Sequence, residues 1–303
     1  MIRFGLDPII FSIGHIEIGW YGLFMALGVG TGLWLTAREA KRRGILPDEI
    51  YNGALWVVGA GLVGARLFHV IDNWSAYAAN PAAIFGTAGL AIYGALIGGF
   101  VAVVVYARAR KLALGRLLDA AAPAIPLAQA IARVGCFING DNYGVPTNPP
   151  LPWSVVWTSP NAMVPDHTIA YQPAQLYELL WDLVVFGIVW KLRDRVRGNG
   201  VLFLIYATLY SFGRFFISFV REDNLYFANL RQAQIIALLV MAAAAPLAFW
   251  LNRLVPRSED LATVQSDPVR DEDSAMQTNA HGHHSSASVQ PLISRPHSRD
   301  AGP

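Results

Sequence analysis

One cysteine, Cys136, stands alone among 303 residues, which excludes an intramolecular disulfide and any zinc site built from several thiolates. Charge is scarce too. Only 15% of the chain is charged, while 54% is hydrophobic and the mean hydropathy is +0.38, values too apolar for an ordinary soluble domain of this length. Positive charge is missing from two whole loops, since 72–83 and 139–172 contain neither lysine nor arginine. A cleavable leader is not expected, because the first apolar run lacks both a basic segment before it and a small-residue cleavage site after it.

What is present is a series of long apolar stretches. A bilayer core needs about 20 apolar residues per helix, and seven stretches approach that length: Ile18 to Ala37, Asn52 to Ile71, Ile84 to Ala107, Leu117 to Phe137, Pro173 to Trp190, Val201 to Val220 and Ala233 to Leu251. Basic residues crowd alternate loops. Arg38, Lys41, Arg42 and Arg43 follow the first stretch, Arg108, Arg110, Lys111 and Arg116 the third, and Lys191, Arg193, Arg195 and Arg197 the fifth. The positive-inside rule makes those loops cytoplasmic. The expected fold is therefore all-α, a polytopic membrane protein with seven transmembrane helices, its N-terminus outside and its C-terminus cytoplasmic. Residues 1–255 form that domain, and loop 139–172 is a small extracytoplasmic cap with short strands near Trp153 to Thr158. Trp153 and Trp157 suit the headgroup level. From Pro256 the composition turns to Ser, Asp, Arg, His and Pro, so 256–303 is expected to be a disordered cytoplasmic tail. His281, His283 and His284 read there as a solvated cluster, with weak metal binding as the lesser reading.

Ionisable side chains inside such spans are costly and mark a pathway or a site. Here they are Arg66 and His69 in the second span, Asp119 and Arg133 in the fourth, Glu178 and Asp182 in the fifth, and Arg214 in the sixth. Arg66, His69, Arg133 and Arg214 fall in the outer halves of their spans, with Tyr21 of the first and Tyr93 of the third. Cations at one depth near the outer headgroups suit an anion such as a lipid phosphate, which a guanidinium meets with a bidentate fork. Glu178 is a candidate partner for one of these arginines. Arg221 reads as a structural cation beside Glu222 and Asp223, Asp119 as a structural hydrogen-bond acceptor, and His69 first as structural and second as a base. Gly61, Gly64, Gly94 and Gly98 approximate the small-residue spacing of close helix contacts.

The segment Arg133-Val-Gly-Cys-Phe-Ile-Asn-Gly-Asp-Asn-Tyr-Gly144 joins the fourth apolar run to a polar loop. Gly135, Gly140 and Gly144 permit a helix end and tight turns, and Asn139 can bond the freed backbone. An arginine and loop amides then face one small volume. This segment resembles the signature of the prolipoprotein diacylglyceryl transferases. Trp20-Tyr21-Gly22, Gly64-Ala65-Arg66, Tyr93-Gly94-Ala95-Leu96-Ile97-Gly98, Asp119, Gln172-Pro173-Ala174-Gln175-Leu176-Tyr177-Glu178 and Tyr210-Ser211-Phe212-Gly213-Arg214-Phe215 are similar to the family's other motifs. Four positions depart from the pattern. Tyr93 and Gln172 stand where histidine is usual, Cys136 replaces an asparagine, and Ser218 replaces a glutamate one turn after Arg214.

The resemblance implies a seven-helix, N-out enzyme of the bacterial inner (plasma) membrane. Such an enzyme moves the diacylglyceryl group of phosphatidylglycerol to the lipobox cysteine thiol of a prolipoprotein, giving a thioether and glycerol phosphate. Arg133 and Arg214 then clamp the phosphate, with Tyr93 and Tyr210 as further catalytic candidates. Arg133, Tyr21, Arg66, Asn139, Gly144 and Glu178 are the substrate-binding candidates. No cofactor, metal or nucleic acid is expected; the partners are phosphatidylglycerol, prolipoprotein signal peptides and the bilayer itself. Tyr93 can accept the thiol proton only if arginines lower its pKa far below about 10, and otherwise it orients the lipid phosphate. Cys136 reads as packing, since the family's attacking thiol belongs to the substrate. A diverged relative that binds or moves anionic phospholipid without transfer is the second reading, motivated by Tyr93, Cys136 and Ser218.

Overall fold

The structure, a computed structural model, describes residues 1–253 apart from 15, 81–83, 85–88, 90, 223–224 and 228. The tail expected from Pro256, with its histidine cluster, lies outside the described residues. Three short strands open the chain, β1 (Ile2–Phe4), β2 (Ile9–Ile13) and β3 (Ile16–Gly19). Helices then occupy all seven apolar stretches: α1 (Trp20–Arg42), α2 (Pro47–Asp72), a short α3 (Trp74–Ala79), α4 (Ile92–Ala109), α5 (Leu114–Ala121) with α6 (Ala124–Asn139), α7 (Ala174–Leu192), α8 (Val201–Ile217) and α9 (Gln232–Arg253). Strand β4 (Val155–Trp157) lies between α6 and α7, and β5 (Leu225–Phe227) with β6 (Leu230–Arg231) between α8 and α9.

Four spans are long and apolar enough to cross a bilayer: Trp20–Arg42, Pro47–Asp72, Leu114–Asn139 and Gln232–Arg253. Shorter apolar helices accompany them at Tyr93–Ala109 and Val201–Ile217. The side chains agree with such a setting. Leu55, Trp56 and Ile71 of α2 are 75%, 67% and 71% exposed, which in water would be an aggregation surface and against lipid costs nothing.

Two expected spans need correction. The third helix starts at Ile92 and not at Ile84; Gly89 adopts a left-handed backbone (φ 85°), which a helix running on from Ile84 could not contain. The fourth is two helices, because Pro123 has no amide to donate and its ring crowds the carbonyl four residues back, so α5 stops at Ala121 and α6 restarts at Ala124.

In lipid, helices gain little by hiding apolar surface from one another, so close backbone approach must supply the adhesion. α2 and α4 meet in this way. A methyl added at Gly94 would strike the Gly64 carbonyl, and one at Gly98 the Ala60 carbonyl. α1 meets α6 with Gly28 against Ala128, whose carbonyl lies 2.8 Å from where a β-carbon would stand.

The loop between α6 and α7 folds into a cap of its own. β1 pairs in parallel with β4, Ile2 opposite Val155 and Phe4 opposite Trp157. Val155, Trp157, Ala162, Val164 and Tyr171 form its core, with Phe4, Phe137 and Tyr143 packed on it. Trp157 therefore is not a headgroup anchor: it is buried, and its indole N–H donates to the Phe137 carbonyl at 2.8 Å. Trp153 is exposed and donates to the Tyr177 hydroxyl at 2.8 Å.

Candidate functional site

α6 ends as its sequence dictates. Gly140 takes the left-handed conformation at the C-cap (φ 69°), its amide reaching back to Phe137, and the Asp141 amide reaches the Cys136 carbonyl at 3.3 Å. The chain then turns past Asn142, which is also left-handed (φ 57°), to Gly144. Gly144 is wedged between strands of backbone: its amide donates to the Gln172 carbonyl at 2.8 Å, and a β-carbon there would sit 2.5 Å from the Val220 oxygen. This tight junction brings the end of α6, the start of α7 and the end of α8 together.

At that junction three guanidiniums share one carboxylate, buried Glu178 on α7. Arg133 Nη2 of α6 lies 2.6 Å from Glu178 Oε2, as a charge contact without the alignment of a hydrogen bond. Arg214 Nη1 of α8 donates to Glu178 Oε1, and Arg221 Nη1 donates to the same oxygen at 3.1 Å. Arg221 Nη2 donates to the Asn142 side-chain oxygen at 2.9 Å. Arg221 thus has the structural ion pairing expected of it, with Glu178 as a partner. It is buried and reaches Glu178, because the turn after α8 folds back onto the Gly144 junction through the Gly144 and Arg221 bridge.

Other residues gather around this core. Asp182, one turn along α7, is buried within electrostatic reach of Arg133, Arg214 and Glu178. Tyr210 lines a small cavity with Glu178, Asp182 and Arg214. Tyr21 of α1 packs against Gly135 and lies within electrostatic reach of Arg133, Cys136 and Asp141. Cys136 is buried, with its sulfur 4.0 Å from Arg133 Nη1 and from Asn142 Nδ2. The Ser218 hydroxyl donates to the Arg214 carbonyl at 2.7 Å, tying down the helix end that carries that arginine. Beside the charged core an apolar groove of about 520 Å³ runs between α7 and α8, lined by Tyr177, Leu180, Val184, Phe212 and Phe216. Trp181 and Ile217 line both the groove and the cavity at Arg214.

Four expected residues lie elsewhere. The Asn139 side chain donates to Met163 Sδ at 3.1 Å, and its carbonyl accepts the Met163 amide, so it holds the cap, while Asn142 meets Arg221. Arg66 donates to the Ile84 and Gly89 carbonyls, each at 2.9 Å, and lies over the Tyr77 ring. His69 stacks edge-on against the same tyrosine, with ring centroids 5.9 Å apart. Tyr93 is on α4, half-buried, and no hydrogen bond among the described residues joins it to Glu178 or its arginines. Asn142 carried one sequence signal, an asparagine between two glycines where a left-handed turn is needed; the reach of Arg221 across the fold carried none.

Four helices long and apolar enough to cross a bilayer, with arginines of α6, of α8 and of the turn after it gathered on one buried carboxylate of α7, define a multi-pass membrane protein. Comparison with known proteins sharpens that class. The prolipoprotein diacylglyceryl transferase family model matches residues 8–250. A phosphatidylglycerol-prolipoprotein diacylglyceryl transferase of Dehalococcoides mccartyi is 39% identical over 248 residues, covering 82% of this chain and 94% of that protein. Proteins of the same name from Clostridioides difficile and Enterococcus faecalis are each 39% identical, over 77% and 79% of this chain and 91% and 88% of their own lengths. The chain belongs to the prolipoprotein diacylglyceryl transferase family.

Proposed function

We propose that this protein transfers the diacylglyceryl group of phosphatidylglycerol to the lipobox cysteine thiol of prolipoproteins at the outer face of a bacterial inner membrane. The observation that carries the reading is the convergence of Arg133, Arg214 and Arg221 on Glu178 beside an apolar groove. A phospholipid needs both, a place for its phosphate and a place for a chain. In this reaction the sulfur–carbon bond forms as the carbon–oxygen bond to phosphate breaks, and the electron pair leaves with the phosphate of glycerol phosphate. Charge grows on that phosphate in the transition state, and guanidiniums held in advance by Glu178 meet it without reorganising. Their field is stronger here than at a surface, because little water screens it.

Arg133 and Arg214 are the proposed clamps, with Arg221 and Asn142 added as residues that orient them. Tyr210 and Tyr21 border the same volume, Gly144 closes the junction beside it and Asn139 holds the cap, while Arg66 stays with the segment before α4. The thiol must lose its proton, since the reference pKa of a free cysteine is about 8.5 and only the thiolate is a strong nucleophile. Tyr93 remains the proposed acceptor or orienting group at the position where the family resemblance expects histidine.

The seven-span, N-out arrangement belongs to the same proposal. It is supported by the parallel pairing of β1 with β4, which requires both strands on one side of the bilayer, and four helical passages separate them. The test uses purified protein, phosphatidylglycerol and a lipobox peptide. Wild type is expected to form the thioether, and Arg133→Ala and Arg214→Ala to abolish it. Full activity in both variants refutes the mechanism. Lipid binding without transfer in wild type, rescued by Tyr93→His, favours the non-transferring relative.

A further inference from the structure

At the other end of the bundle stands a second arginine cluster that this chemistry does not use. Glu39 of α1 is fully buried and is shared by Arg42 at 3.1 Å, Arg43 at 2.9 Å and Arg193 at 3.1 Å. Arg193 follows Glu178 along α7 at a distance of about 22 Å, taking 1.5 Å per residue. Over this pair opens a cavity of about 360 Å³, and the arginines lining it include Arg116 of α5 and Arg197 of the turn before α8.

The carboxylates here are already committed. Asp119 accepts the backbone amides of Gly200 at 2.7 Å and Phe203 at 3.0 Å, capping the start of α8. Asp194 takes Arg42 and lies 3.5 Å from Arg193. Arg116 and Arg197 are exposed and have no ion pair or hydrogen bond among the described residues. Five arginines (Arg42, Arg43, Arg116, Arg193, Arg197) therefore face three carboxylates (Glu39, Asp119, Asp194), a formal excess of +2 around one open cavity. The frame is stiff. A β-carbon at Gly115 would lie 2.8 Å from the Asn199 backbone, Gly200 is left-handed (φ 89°), and the Arg193 guanidinium stacks 3.3 Å above the Trp190 ring.

We infer that this arginine-lined cavity binds a phosphate group, that of an anionic phospholipid in the leaflet at this end or of a free phosphate ester. Planar guanidinium forks match phosphate oxygens in pairs, and basic pockets between helices at a membrane surface have this use. The excess of +2 fits a phosphomonoester dianion fully and a phosphodiester in part.

The test measures binding of inorganic phosphate and of short-chain phosphatidylglycerol to the full-length protein in detergent, by calorimetry, with hydrogen exchange to locate it. Protection of amides in 193–200 and 38–43 is expected. The variant R116Q/R197Q should weaken that binding by about tenfold, the scale of losing two solvent-exposed charge contacts, while leaving the transfer rate unchanged. R116K/R197K, which keeps the charge, should lie between. Protection by the lipid alone assigns the site to a headgroup, and protection by both probes to any phosphate ester. Protection confined to 133–144 and 172–178, or equal affinity in wild type and R116Q/R197Q, overturns the inference.

Discussion

Replacing Glu178 by glutamine removes one charge and adds almost no volume, yet it strikes the group on which three arginines depend. The carboxylate is 5% exposed, and the side chains of Arg133, Arg214 and Arg221 are 20%, 20% and 9% exposed. The glutamine oxygen can still accept from one guanidinium, but its amide group turns two hydrogens towards the others. Breaking one side of a buried ion pair typically costs about 3–5 kcal/mol. At about 2–4 °C per kcal/mol for a domain of this size, the midpoint of thermal unfolding should fall by about 6–20 °C. Transfer should fall further than stability alone requires, because arginines that repel one another no longer present a fixed target to phosphate. The assay is a thermal melt in detergent beside the rate of lipidation of a lipobox peptide at a temperature where both proteins are folded. A melting point within 2 °C of wild type (under about 1 kcal/mol), with an unchanged rate, would refute the idea that Glu178 organises the site.

The same geometry sets other outcomes. Arg221→Gln should slow transfer by at least about tenfold, the scale of one lost charge-assisted bond, and lower the melt by less than Glu178→Gln does, since Arg133 and Arg214 still pair with Glu178; a variant as fast as wild type would return Arg221 to a purely structural role. Gly144→Ala should destabilise by about 1–3 kcal/mol through overpacking against Val220 and Gln172, seen as a lower melting temperature. Asp119→Asn keeps one acceptor for the start of α8 and loses the other, so a cost of about 0.5–2 kcal/mol is expected from the thermal melt. In the cap, the Thr168 hydroxyl and then the Thr168 amide hold the Asp166 carboxyl below the usual range. A depressed value means the turn is supported at neutral pH and released only as pH falls below about 3.9; protection of the Thr168 amide from exchange that vanishes above about pH 5 would contradict this.

Hydropathy was enough to find the four membrane-length helices among the described residues, because a lipid-facing helix writes its apolar character along its whole length. It could not show where a helix ends within an apolar run. Ile84 to Leu90 is as apolar as the helix after it, and only its two glycines, Gly86 and Gly89, hinted at the break; Pro123 carried a plainer signal that a hydropathy window averages away. The charged site was legible in type and not in pairing. Arg133, Arg214 and Glu178 announce themselves as ions inside apolar runs. Arg221 sits beside Glu222 in sequence, and its reach to Glu178 and Asn142 depends on a turn that the chain makes only once folded. Arg66 shows the reverse, since its place at the right depth did not bring it to the cluster; the carbonyls of Ile84 and Gly89 hold it instead.

The pairing of Ile2–Phe4 with Val155–Trp157 sets an order of events during synthesis. Ile2–Phe4 must wait for a strand about 150 residues downstream, roughly 8–30 s at 5–20 residues per second. Through that interval the leading strand has an open edge, and all the helices from α1 to α6 must be made before its partner arrives. A purification tag or fusion placed ahead of Ile2 would have to be carried along and seated beside the Trp157 core.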